Sequence, residues 1–122
     1  MAKISNEKKP YVQEERTFLF AKNVAIFCKK LPETSSNIEY IKQVAKASGS
    51  VGANYIEAKE ALSKKDFSMR IKISRKEAKE SAYGLSLIKK TNQKEFEDEV
   101  TSLRNEAVEL KKILSSILEK SK

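Results

Sequence analysis

Histidine is absent from the chain, and with it the commonest general base and the commonest metal ligand. The acids that stand beside a helix core stripe are Glu57, Glu77 and Glu80. Carboxylates in such places ordinarily make salt bridges or interhelical hydrogen bonds. A di-iron bundle site needs Glu-x-x-His pairs on facing helices, which a chain without histidine cannot supply. No glycine-rich phosphate loop, Cys-x-x-Cys pair or nucleophile elbow occurs. Cys28, the single cysteine, lies among apolar residues and reads as a small core residue rather than a reactive thiol. The expectation is no catalytic residue, no metal site, no cofactor and no enzyme.

The chemistry that remains is electrostatic. The net charge is +8, a basic excess that suits polyanions such as nucleic acid or acidic protein surfaces and is also common on ordinary soluble proteins. It is unevenly spread: residues 63–92 carry nine basic against three acidic side chains. At about 100° per residue, Lys65, Lys72, Lys76 and Lys79 share one solvent-facing sector of a helix, with Arg75 at its edge. A row of cations on a rigid helix can track phosphates and release counterions. The plain alternative is a solvated helix face. No aromatic residue interleaves with the row, so base stacking there is not expected, and binding would be backbone-driven with little sequence preference. Met69, Ile73 and Leu87 lie away from the core stripe of the same helix and form an apolar patch that suits an oligomer interface.

These residues need helices to position them. Phe20, Val24, Phe27 and Leu31 recur at steps of four, three and four, predicting a first helix over residues 14–31 that Pro32 ends. Residues 1–13 are expected to form a flexible N-terminal arm, leaving 14–122 as the bundle domain. A second helix is expected over residues 38–62, with Asn37 as N-cap and Ile41, Val44, Ser48, Val51, Tyr55, Ala58 and Leu62 facing inward. Ala45, Gly49 and Ala53 form a small-residue row, as do Ser48 and Gly52. Glycine in a helix interior costs about 1 kcal/mol relative to alanine, so a packing reason is expected. Ser63 caps a third helix over residues 64–90, with Phe67, Ile71, Ser74, Ala78, Ser81, Leu85 and Ile88 inward. A fourth over 93–120 buries Phe96, Val100, Leu103, Ala107, Leu110, Leu114 and Ile117. Short breaks force neighbours to run antiparallel, so the predicted fold is all-α, an up-down-up-down four-helix bundle.

Charged residues at 34% with three glycines and two prolines fit a helical protein rather than a disordered or β-rich one. The first residues lack the apolar stretch of a signal peptide, and no apolar run reaches the roughly 20 residues of a membrane span. A cytoplasmic protein without membrane contact is expected.

Ser50-Val51-Gly52-Ala53-Asn54-Tyr55, Glu57-Ala58, Asp66-Phe67, Lys76-Glu77-Ala78 and Ser81-Ala82-Tyr83 carry a further signal, with Arg16-Thr17 and Lys30-Leu31-Pro32 before them. Over about residues 16–118 this pattern resembles the bacterial four-helix-bundle family of 23S ribosomal RNA intervening-sequence proteins, the S23 type. The resemblance implies a bundle that assembles into rings, typically homopentamers. A similar fold serves retroelement accessory variability proteins, which contact nucleic acid and a reverse transcriptase. It implies no catalytic residues. Asn54, Glu57, Ser74 and Glu77 match the family's recurring polar positions and are expected to form a buried or half-buried interhelical network, since buried polar groups need partners. The chain departs from the pattern at Gly84, where a large aromatic is usual, and at Lys46, where arginine is usual. The first departure would loosen the third helix or alter a subunit contact, and the second loses bidentate geometry.

Overall fold

The computed structural model describes residues 9–122, with side chains from residue 12 onward. Among the described residues, four α-helices follow one another and no strand occurs: α1 Lys9–Cys28, α2 Ser35–Lys59, α3 Lys64–Thr91 and α4 Glu97–Lys120, the last preceded by a single 3-10 turn, Lys94–Phe96. Each packs on its sequence neighbours, and α1 also meets α4, closing an antiparallel bundle. Helix α1 begins before the expected boundary, so residues 9–13, assigned to the arm, are helical. The rest of that arm, residues 1–8, lies outside the described residues.

The predicted seams meet inside. Val24, Phe27, Val51, Ile71, Leu85, Ile88, Val100 and Leu110 are all shut off from solvent. Burial of each such side chain contributes about 1.5–3 kcal/mol. Phe27 and Phe96 meet edge to face with ring centroids 6.3 Å apart. Among the buried serines, the Ser74 hydroxyl donates to the Val51 carbonyl at 2.6 Å. Ser48 and Ser81 donate to carbonyls of their own helices, Ala45 and Glu77. The hydroxyls are thereby satisfied without breaking the apolar layer.

Several expectations need correcting. The N-cap of α2 is Thr34, whose hydroxyl accepts the Asn37 amide N–H at 3.1 Å. Because α2 starts earlier than expected, Asn37 is rotated inward and buried. There it exchanges amide hydrogen bonds with Asn92, both 2.9 Å, and donates to the Pro32 carbonyl, pinning two loops together. Leu62 is 97% exposed, since α2 ends at Lys59 and leaves it in the connection. Leu31 is buried although α1 ends at Cys28. The small residues also separate into two kinds. A Cβ at Gly52 would stand 2.9 Å from the Thr17 hydroxyl oxygen, and one at Gly84 would run into Val44. These two glycines let α2 approach α1 and α3 closely. Gly49 has nothing within 4 Å of an added Cβ, and Ala45 and Ala53 beside it are exposed.

Ion pairs hold α1 in place. Arg16 grips Glu106 of α4 through two hydrogen bonds of 2.6 and 2.8 Å. Lys59 of α2 reaches Glu14 at 2.7 Å, and Lys30, just past the end of α1, reaches Glu99 at 2.9 Å.

Candidate nucleic-acid interface

Helix α3 is launched by Ser63, whose hydroxyl accepts the Asp66 amide N–H at 3.0 Å, giving it a defined start and hence a defined rotation. With Ile71, Ser74, Ala78, Ser81, Leu85 and Ile88 buried, the opposite sector must face water. Lys65, Lys72, Lys76 and Lys79 are exposed there, and Arg75 is half-buried at its edge. Lys76 lies 4.0 Å from Glu80 one turn on, a surface pair of the kind that contributes about 0–1 kcal/mol. Among the described residues none of Lys65, Lys72, Arg75 and Lys79 makes an ion pair.

The first turns of α3 and the end of α4 border a broad groove of about 1090 Å³. Lys65, Lys72, Arg75 and Lys76 line it together with Met69, Ile73 and Leu118. Two features treated separately in the sequence, the cation row and the apolar patch, therefore share one surface. Met69 is 46% exposed, whereas Ile73 and Leu87 are half-buried, and neither Leu87 nor Lys79 reaches the groove.

A larger uncovered apolar surface lies elsewhere, and the sequence reading did not single it out. Phe18 is 67%, Ile38 50% and Ile56 43% exposed. On α2, Ile38, Ala45, Gly49 and Ile56 fall in one outward sector at about 100° per residue. The signal was present in the sequence as the small-residue row, which was assigned to packing within the bundle.

The four polar positions on α2 and α3 do not join into one network. Asn54 donates to the Ser50 carbonyl at 2.9 Å and accepts from the Arg70 guanidinium at 3.2 Å. Ser74 binds the Val51 carbonyl instead. Glu57 is exposed, because α2 turns it toward solvent. Glu77 is half-buried, and its carboxyl is held above the usual glutamate value by loss of solvent and then by nearby Glu80, with Lys76 and Lys46 opposing. Arg70, the true partner of Asn54, was missed: periodicity marks a flank, not which side chain reaches across it.

Tyr83 requires a second correction. It is 70% exposed and stands one turn beyond Lys79. Eighteen residues after Lys65 amount to about five whole turns, so the ring shares the sector of the row. An aromatic residue does accompany the cations; it escaped notice because it follows the row instead of falling between its members. Tyr83 also borders a hollow of about 350 Å³ between α2 and α3.

Elsewhere, Cys28 is buried and desolvation pushes its thiol up to about 11, which suppresses thiolate chemistry. Among the described residues no cluster of three or more His, Cys, Asp or Glu is placed to hold a metal ion. No helix is long and apolar enough to cross a membrane.

Comparison with known proteins adds lineage to this geometry. Residues 13–116 match the family model of the 23S rRNA-intervening sequence protein. A crystal structure of a protein with unknown function, from the S23 ribosomal protein family of Bacteroides thetaiotaomicron VPI-5482, superposes with a TM-score of 0.79 at 31% sequence identity. The superposition covers 91% of this chain and 98% of that one. No curated protein matches the chain.

Proposed function

The chain belongs to the 23S rRNA-intervening sequence protein family, and from that premise we propose that it is a nonenzymatic, cytoplasmic, oligomeric protein that binds RNA or a duplex backbone through the outward face of α3. The observation that carries this reading is the set of solvent-facing cations, Lys65, Lys72, Arg75 and Lys79, that no acid neutralises among the described residues. Phosphates are their natural partners, because each contact releases condensed counterions. Repetition of the row around a homopentameric ring would multiply weak single contacts by avidity. Fluorescence anisotropy with labelled RNA and DNA across a salt series tests it. Four phosphate contacts correspond to a slope of about −3 in log affinity against log salt. Absence of binding at low salt, or binding indifferent to glutamate at positions 65, 72, 76 and 79, sinks the reading.

A second reading has its own observation. The outward side of α1 and α2 exposes Phe18, Ile38 and Ile56, and Gly49 between them serves no contact within the protomer. A contiguous apolar face suits contact with further protein: more copies of the chain in a ring, or a partner such as a reverse transcriptase. On this reading the protein is an assembly or adaptor subunit and the lysines serve solubility. Light scattering reports the mass directly, and a strict monomer argues against self-assembly.

A further inference from the structure

The hollow beside Tyr83 is composed differently from the row it adjoins. Its walls are Gln43 and Lys46 from α2 with Glu77, Glu80 and Tyr83 from α3, and Gly84 lies at its base. Two carboxylates there would repel a phosphate. They would accept hydrogen bonds from the exocyclic amino group of a base, as glutamate does with cytosine and glutamine does, bidentately, with adenine. Among the described residues, the side chains of Gln43, Lys46, Glu77 and Tyr83 make no hydrogen bond or ion pair of their own, and Glu80 makes only the long contact to Lys76. Beside the hollow stands a phenol ring 70% exposed, and an aromatic side chain on a basic path is the usual platform for an unpaired base. The phosphate path leads to it: Lys72, Lys76, Lys79 and Tyr83 climb α3 in steps of about 6, 4.5 and 6 Å.

We propose that this hollow is a nucleobase subsite, in which an unpaired cytosine or adenine stacks on Tyr83 and presents its amino group to Gln43, Glu77 and Glu80, while the flanking phosphates lie on Lys76 and Lys79. The inference rests on the nucleic-acid reading above and sharpens it, because it selects single-stranded segments over continuous duplex.

The test uses the full chain with labelled twelve-nucleotide oligo(rC), oligo(rA) and oligo(rU), and a duplex of equal length. The wild type should bind oligo(rC) and oligo(rA) several-fold more tightly than oligo(rU), which has no exocyclic amine. Tyr83→Ala should weaken oligo(rC) binding about tenfold, leave the duplex unchanged and keep the salt slope. Tyr83→Phe should retain wild-type affinity, since stacking needs only the ring. Glu77→Gln with Glu80→Gln should narrow the preference over oligo(rU). Equal binding of the three oligonucleotides by the wild type, or no change with Tyr83→Ala, overturns the subsite. If lysine-dependent binding persists in that case, only the subsite fails. If the wild type binds none of the probes at low salt, the parent reading fails with it.

Discussion

Two outward surfaces of this bundle differ in kind. The exposed sector of α3 presents lysines at helical spacing, and its apolar members, Ile73 and Leu87, are half-withdrawn. The exposed flank of α1 and α2 is the reverse: Phe18, Ile38 and Ile56 stand in water, with Ala45, Gly49 and Ala53 filling the spaces between them on α2. The protomer's own fold accounts for neither. A helix needs no row of cations to stay folded, and it gains nothing from a glycine that touches nothing. The contrast assigns the two surfaces different partners, a polyanion for the first and an apolar protein surface for the second.

The sharpest way to break that assignment is to attack each surface and read both outcomes. Glutamate at Lys65, Lys72, Lys76 and Lys79 together should lower nucleic-acid affinity by more than about a hundredfold and leave the mass in light scattering unchanged. If assembly also collapses, the cation row belongs to a subunit contact and the contrast is false.

The second experiment runs the other way. Ile38→Glu with Ile56→Glu should dissociate the oligomer, with the monomer still folded by circular dichroism because both residues lie outside the core. Affinity for long RNA should then fall through lost avidity, while affinity for a short oligonucleotide holds. Changing Met69, Ile73 and Leu87 to polar residues offers the direct rival: if that variant alone dissociates the assembly, the interface lies on α3.

A glycine pair sharpens the point further. Gly84→Ala should cost about 1–3 kcal/mol by overpacking, since the new methyl meets the buried Val44 side chain. Gly49→Ala should stabilise the isolated protomer by about 1 kcal/mol while weakening self-association. Denaturant titration at low and high protein concentration separates the two effects.

The smallest effect concerns Glu77. Its folded carboxyl titrates above the ordinary value of 4.5, chiefly because burial disfavours its charge. The folded state therefore holds the proton more tightly, and this group's contribution to stability is lost as pH rises from 4.5. Glu77→Gln should raise the melting temperature at pH 7 and converge with the wild type below the ordinary carboxylate range.

By itself the sequence determined the helices and the seam each one buries. Steps of three and four along Phe20 to Leu31, Ile71 to Ile88 and Val100 to Leu114 admit one inward face apiece, and water enforces it. Pro32 and Ser63 punctuate locally, so they too were legible, as was the lysine sector of α3, which is only the complement of its core stripe. Tertiary structure decided what depends on distance between elements. Asn37 looked like a cap from its neighbours, but whether it caps or pairs with Asn92 is settled by where α2 starts against the end of α3. Asn54 needed a partner that spacing could not name, and Arg70 supplied it from another helix. Gly49, Gly52 and Gly84 are alike in sequence; only the approach of Thr17 and Val44 shows which two the bundle uses. Periodicity follows from one helix meeting solvent on one side, whereas pairing, close approach and hollows arise between helices, whose relative placement no local pattern encodes.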